Sequence, residues 1–255
     1  MKERRSILWS LLAGTLAIVS LVLNSLVILA ATPFLGARRA YFTFTPPLAR
    51  MLLRICGITL EVRGWEDLPE EIRLRRQSAI FMCNHESNMD GPALVGALPL
   101  PMVYISKKSL RWVPFLGWTA MAAGTIFIDR SDREKAIEGI NSAAKDIHDG
   151  KSVLFFPEGT RTRTGDLGAF KKGGFALAQN AGVPIVPMAA SGGFRILPAG
   201  SVRLKRGAYV IALGQPVWPE AFETREALLD EVRERIAALR EGLGRPLTET
   251  GAGRN

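Results

Sequence analysis

His85 and Asp90 stand five residues apart in the stretch Asn84-His85-Glu86-Ser87-Asn88-Met89-Asp90. A carboxylate on one imidazole nitrogen fixes the tautomer and leaves the other nitrogen free to take a proton. On a regular helix, residues five apart are rotated by about 140°. Partnership between the two therefore requires a tight turn entering a helix, and Ser87, Asn88 and Gly91 suit that turn. Glu86 is a second carboxylate beside the same imidazole. Single His/Asp spacings are common by chance, so this stretch alone fits a capping loop as well as a general base.

Cations follow along the chain: Lys107, Arg130 and the turn Pro157-Glu158-Gly159-Thr160-Arg161, with Lys171 nearby. Arginine forks match phosphate oxygens in two-point hydrogen bonds. Gly159 permits close approach of backbone amides to an anion. A basic imidazole beside such a site suggests a phosphorylated alcohol whose hydroxyl is deprotonated. Taken singly, Arg130 or Arg161 reads as a surface ion pair with a carboxylate such as Glu158, and lysines commonly line loops. No G-x-S-x-G serine elbow appears and no cysteine is placed as a nucleophile, which argues against a covalent intermediate. The chain has 2 histidines, so a multi-histidine metal site is implausible. His148, the second of them, is read as a helix C-terminal residue.

The elements that must position these residues alternate between strand and helix. Ser78–Cys83, Met102–Ser106, Gly124–Arg130, Val153–Phe156 and Val183–Met188 are short apolar runs bounded by turn residues, the signature of buried strands. The prolines of the last run restrict it to strand ends or an edge. Further strands are expected at Ser201–Leu204 and Tyr209–Leu213. Helices are expected at Gly91–Ala97, around Trp112–Trp118, from the capping box Ser131-Asp132-Arg133-Glu134 to His148, from Lys171 to Ala181, and over Glu223–Leu239. Repeated strand-helix-strand order predicts an α/β fold, a largely parallel mixed sheet flanked by helices. Loops after the C-terminal ends of such strands open on one edge. His85, Lys107, Arg130 and the Glu158–Arg161 turn should therefore converge in one crevice.

With 255 residues, 47% of them apolar, the chain can bury a sizeable core. A net charge of +9 points to polyanionic partners: nucleic acid, anionic lipid or phosphorylated substrates. No nucleic-acid module is recognisable. Cys56 and Cys83 are far apart and sit in apolar surroundings, which reads as buried free thiols rather than a disulfide. Ile7–Ala31 runs without a charge, flanked by Lys2, Arg4 and Arg5 before and Arg38 and Arg39 after. About twenty such residues suffice to cross a bilayer, and the run is too long for a signal peptide, so residues 1–58 are read as a membrane-anchoring helical segment. A spanning helix and a bent, re-entrant pair of helices both fit, since positive charge on both sides gives no orientation. Leu48–Leu60, with Arg50 and Arg54 four apart, reads equally as an interfacial helix or an ordinary packed one. Residues 59–244 form the expected catalytic domain and 245–255 an expected disordered tail.

The blocks N-H-E-S-N-M-D, G-T-I-F-I-D-R, F-P-E-G-T-R-T and V-P-I-V-P-M, in this order and spacing, resemble the four motif blocks of the glycerolipid acyltransferases. The likeness covers roughly residues 60–215. It implies direct acyl transfer from a thioester, acyl carrier protein or coenzyme A, to the sn-2 hydroxyl of lysophosphatidic acid, with no cofactor. By that resemblance His85 is the base and Asp90 its orienting partner. Arg130, Glu158, Gly159, Thr160 and Arg161, with Lys107, would form the acceptor's phosphate site, and Val183–Met188 would shape the pocket wall. Glu86 stands where the family often has an uncharged residue, and Thr162 where serine is common. Lipid substrates and cytosolic donors imply attachment to anionic lipid at the inner membrane, with the catalytic domain on the cytoplasmic face. A membrane-tethered phospholipid-binding protein without turnover is the alternative outside catalysis.

Overall fold

The computed structural model describes residues 2–128, 139, 144, 147 and 150–243, with side chains from residue 7 onward. The chain opens with helices α1 (Lys2–Leu35) and α2 (Ala37–Ile55), folded back on each other at Gly36. Then come β1 (Ile58–Arg63), β2 (Ile80–Cys83), α3 (Asp90–Ala97), β3 (Met102–Lys107), α4 (Leu116–Ala123) and β4 (Ile126–Ile128). β5 (Ser152–Phe155), α5 (Gly173–Ala181), β6 (Ile185–Ser191), β7 (Gly207–Leu213) and α6 (Arg225–Leu243) complete the order. One sheet runs β1-β7-β6-β2-β5-β3-β4. β2 lies parallel to β5 and β6, and β3 parallel to β5 and β4. β6 pairs antiparallel with β7, which in turn is parallel to β1, so the sheet is mixed.

Successive side chains of a strand point to opposite faces, and both faces here are covered. Phe81 and Cys83 of β2 join Val186 and Met188 of β6 in a core closed by Leu53 of α2 and Leu94 of α3. Ile80 and Met82 join Ile185 in a second core, closed by Phe175 and Leu177 of α5 and by Leu228, Val232 and Ile236 of α6. Ile80, Phe81 and Met82 are fully buried, and each such side chain contributes about 1.5–3 kcal/mol.

Four expectations differ from the structure, the first being the helix around Trp112–Trp118, where Val113–Phe115 separate a 3-10 turn at Lys108–Trp112 from α4. Pro187 lies inside β6, a central strand between β2 and β7. Its carbonyl accepts the N–H of Gly214 at 2.8 Å, whereas the ladder to β7 begins at Met188↔Leu213. The missing proline N–H costs only the return bond to Gly214, at an irregularity before antiparallel pairing resumes at Ile185↔Val217. Ser201–Leu204 forms no strand: the Leu204 N–H donates to Ser10 Oγ of α1 (3.0 Å) and Lys205 N–H to the Ile196 carbonyl (2.9 Å). Leu48–Leu60 is not one helix, because Gly57, at φ 72°, ends the turn after α2 and Ile58 begins β1. α2 buries Ala40, Tyr41, Ala49 and Leu53, the packing of an ordinary domain helix. Asp129, Arg130, the Ser131–Glu134 capping box, His148 and the tail 245–255 lie outside the described residues.

Helix α1 is long and apolar enough to cross a membrane, yet it lies along the domain. Near its start, Ser10 holds the segment before β7 and Trp9 lies under the Arg206 guanidinium, 4.9 Å away. Further along, Ser25 Oγ donates to the Phe115 carbonyl and sits 2.6 Å from Thr119 Oγ1 of α4. Asn24 Nδ2 donates to Thr45 Oγ1 of α2 at 3.0 Å. The buried side of α1 includes Ser10, Ser20, Asn24 and Ser25, while Leu8, Leu12, Ile18 and Leu29 face outward. β7 begins, and β3 ends, on the sheet edge where β2 ends, so α1 runs across that edge.

Candidate active site

β2, β5 and β3 are parallel, so their C-terminal ends carry His85, Glu158 and Lys107 to one edge. Past Cys83 the pairing is continued by a side chain. Asn84 Nδ2 donates to the Ala190 carbonyl (2.9 Å), and the Ala190 N–H returns a bond to Asn84 Oδ1 (2.7 Å). The chain then turns, and Asp90 is the first residue of α3, the tight turn into a helix that the spacing requires.

His85 Nδ1 lies 2.6 Å from Asp90 Oδ2. A carboxylate only accepts, so Nδ1 carries the hydrogen and Nε2 is left to take a proton. Asp90 is fully buried. Its Oδ2 also accepts the N–H groups of Glu86 (2.7 Å) and Ser87 (2.9 Å), and its Oδ1 accepts the Tyr209 hydroxyl (2.7 Å). Burial, then the Asp90 charge, hold the Tyr209 hydroxyl well above its ordinary range, so it stays a donor. The imidazole stacks on Phe156, with ring centroids 4.1 Å apart and planes 16° from parallel. It remains 23% exposed, open to a reactant. Of the two carboxylates flanking His85, Asp90 is the one that holds the ring. Glu86 points elsewhere, its Oε2 accepting the N–H of Phe194 at 3.1 Å.

The turn after β5 is fastened to the His85 loop from several sides. Glu158 Oε1 accepts the His85 N–H (2.8 Å) and its Oε2 the Gly168 N–H (2.9 Å). The Thr162 N–H donates to the His85 carbonyl at 2.9 Å, and Arg161 donates to Asn88 Oδ1 at 2.6 Å. Gly159 adopts φ 70°, and the Lys171 side chain packs where its Cβ would be, 3.0 Å from it. His85, Glu158–Arg161 and Lys171 therefore form one cluster, within which Thr160 is exposed. Lys107 closes β3 on the same edge, and Arg130 lies outside the described residues. Glu158, buried and bonded to two amides, is a staple between loops rather than a free carboxylate. Tyr209 and Arg240, also at this site, carried no motif signal: Tyr209 comes from an alternating strand and Arg240 from an ordinary amphipathic helix. Cys56 and Cys83 are buried free thiols.

Taken together, an α/β sheet edge presents a histidine with one ring nitrogen free to take a proton, held by a buried aspartate and bordered by cations, an arrangement chemically able to deprotonate an alcohol beside an anion. Residues 59–191 match the family model described as Acyltransferase. A chloroplastic 1-acyl-sn-glycerol-3-phosphate acyltransferase of Brassica napus is 31% identical over 91% of this chain and 66% of its own length. One from Pseudomonas aeruginosa is 31% identical over 75% of this chain and 76% of its own. The chain belongs to the acyltransferase family. It spans just under two thirds of the plant relative's length. The crystal structure of the 1-acyl-sn-glycerophosphate (LPA) acyltransferase from Thermotoga maritima shares the fold: TM-score 0.84 at 24% identity, over 96% of this chain and 99% of that one.

Proposed function

We propose that this protein transfers a fatty acyl group from an acyl thioester, acyl-coenzyme A or acyl carrier protein, to the sn-2 hydroxyl of lysophosphatidic acid, making phosphatidic acid. The observation that carries this reading is the 2.6 Å bond between His85 Nδ1 and Asp90, in a loop fastened to the one that bears Arg161. The names of the relatives support the choice of acceptor and product.

His85 Nε2 takes the proton of the sn-2 hydroxyl as its oxygen attacks the thioester carbonyl. The tetrahedral intermediate collapses by breaking the C–S bond, and the imidazolium returns its proton to the leaving thiolate. Asp90 holds the ring and stabilises the imidazolium without taking its proton. A thioester is already activated, so no acyl-enzyme is required. Arg161, Lys171, Lys107 and Arg130 receive the acceptor's phosphate together with the Gly159–Thr160 turn. Glu158 serves that site by holding both loops. An open cleft of about 840 Å³ beside α2 and α3, lined by Phe42, Leu94, Leu98 and Tyr104 together with arginines, offers apolar surface for an acyl chain.

Attachment to anionic lipid at the inner membrane, catalytic edge toward the cytoplasmic leaflet, completes the reading. Support comes from α1 lying across that edge with its apolar side outward, and from Phe34 (86% exposed) and Trp112 (77% exposed). Packed on the domain along one side and apolar on the other, α1 suits contact with a leaflet, and the +9 charge favours anionic headgroups.

The deciding assay presents purified protein with lysophosphatidic acid, glycerol-3-phosphate and other lysophospholipids, each with both donor types. Turnover of lysophosphatidic acid is expected. Silence on it, with turnover of another acceptor, overturns the acceptor, and silence on all of them with intact lipid binding favours a non-catalytic lipid binder.

A further inference from the structure

Arg240 belongs to the last turns of α6, beyond the 59–191 segment that matches the family model, yet it reaches the catalytic edge. Its guanidinium donates to the Gly165 carbonyl at 2.6 Å and to Glu86 Oε1 at 3.4 Å. Glu86 is buried, and burial raises its carboxyl above the ordinary range, while the Phe194 N–H and Arg240 act against that rise. A lone carboxylate there would be costly. The Arg240 guanidinium, 3.4 Å from Glu86 Oε1, compensates that carboxylate, so the two form a pair.

Residues 159–168 form neither helix nor strand, so their shape depends on tethers. Glu158 grips Gly168 and His85 grips Thr162, at the two sides of the segment. Arg240 grips Gly165 between them. Gly165 has φ 93°, and a Cβ there would lie 3.3 Å from the Phe194 ring, so the segment is wedged against Phe194 as well. Glu86 accepts the Phe194 N–H, which makes the pair a clamp on both sides of that wedge.

We infer that Arg240, held by Glu86, is a positioning residue for the acceptor-phosphate loop, and that the end of α6 is thereby part of the acceptor site. The inference rests on the reading that the Arg161 loop binds the acceptor's phosphate. His85 is oriented by other bonds, through Asp90, the Glu86 and Ser87 amides and Tyr209. Loss of the clamp should therefore loosen acceptor binding and leave proton transfer intact.

The test uses the full chain in mixed micelles, with R240M and the double variant R240M/E86Q, reading both KM values, kcat against pH, and the melting temperature. R240M is expected to raise the acceptor KM about tenfold or more, the loss of a charge-assisted hydrogen bond. Donor KM and the pH midpoint of kcat stay within about twofold and a few tenths of a unit, respectively. The double variant removes the stranded carboxylate and recovers melting temperature, yet keeps the raised acceptor KM because Gly165 is still untethered. It also supplies the measurement should R240M fail to fold. Recovery of the acceptor KM in the double variant, or equal damage to both KM values in R240M, overturns the inference. Each ratio is taken with whichever acceptor the wild type turns over, so an error in the acceptor's identity shows in the wild type alone.

Discussion

Glu158 accepts the backbone N–H of His85 at 2.8 Å, so a residue of one loop fixes the peptide group of the proposed base on another. Its second oxygen holds Gly168. In Glu158→Gln one oxygen remains and an NH2 group faces a backbone donor. We expect a loss of about 1.5–3 kcal/mol, read as a melting-temperature drop of roughly 3–10 °C, with kcat falling alongside. An unchanged melting temperature with acceptor KM alone affected would instead make Glu158 a direct substrate ligand.

Asp90→Asn keeps the shape of the side chain but turns an acceptor into a donor facing Glu86, Ser87 or Tyr209. The imidazole loses its fixed tautomer, and kcat should fall about a thousandfold or more. His85→Ala should be at least as damaging while vesicle binding persists. Single-turnover rates beside a flotation assay separate the two readouts, and full biological activity of His85→Ala would end the catalytic reading.

Arg161→Ala should raise the acceptor KM strongly and leave the donor KM nearly unchanged. Its bond to Asn88 lies at an exposed rim and contributes little to folding. Steady-state kinetics with both substrates varied test this, and equal damage to both substrates points to a folding role.

Cys83 should be inert in the native protein. Burial, reinforced by the charges of Asp90, Glu86 and Glu158, pushes its thiol well above the ordinary range. The unfolded thiol ionises near pH 8.5 while the folded one keeps its proton. The stabilisation is thus whole below about pH 8.5 and is lost as pH rises toward the folded value. Tyr104 and Tyr209, also raised by burial, extend the decline above about pH 10. Denaturant melts from pH 7 to 10.5 should show stability falling, with Cys83→Ala flattening the early part. Rapid alkylation of native Cys83 at pH 8 would contradict the burial argument.

Outward and inward positions of α1 should behave oppositely. Leu29→Ser, on the outward side, should weaken partition to anionic vesicles and leave melting unchanged. Ser25→Leu, which breaks the contacts to Phe115 and Thr119, should destabilise the fold by about 1–3 kcal/mol. Equal vesicle binding by Leu29→Ser and wild type would remove α1 as the membrane contact.

Much of this arrangement was legible because a short unbroken apolar run bounded by polar turn residues writes β2 and its loop directly into the sequence. The His85–Asp90 spacing said only that a partnership needs a turn into a helix; the choice of these two as partners came from the family resemblance. What escaped was long-range. Tyr209 and Arg240 reach the site from elements whose local patterns declare only burial. Glu158 resembles a substrate ligand until both its oxygens are seen committed to amides. Pro187 misled because a proline inside a central strand is tolerated where the neighbouring ladder is interrupted, between Met188↔Leu213 and Ile185↔Val217.

The inverted polarity of α1 also bears on how the protein can be handled. Because Ala13 belongs to the same core as Phe81 and Leu154, cutting the chain ahead of β1 would strip a wall from the interior instead of releasing a water-soluble enzyme. On the proposed membrane reading, detergent would have to stand in for a leaflet on one side while the helix stayed in place on the other.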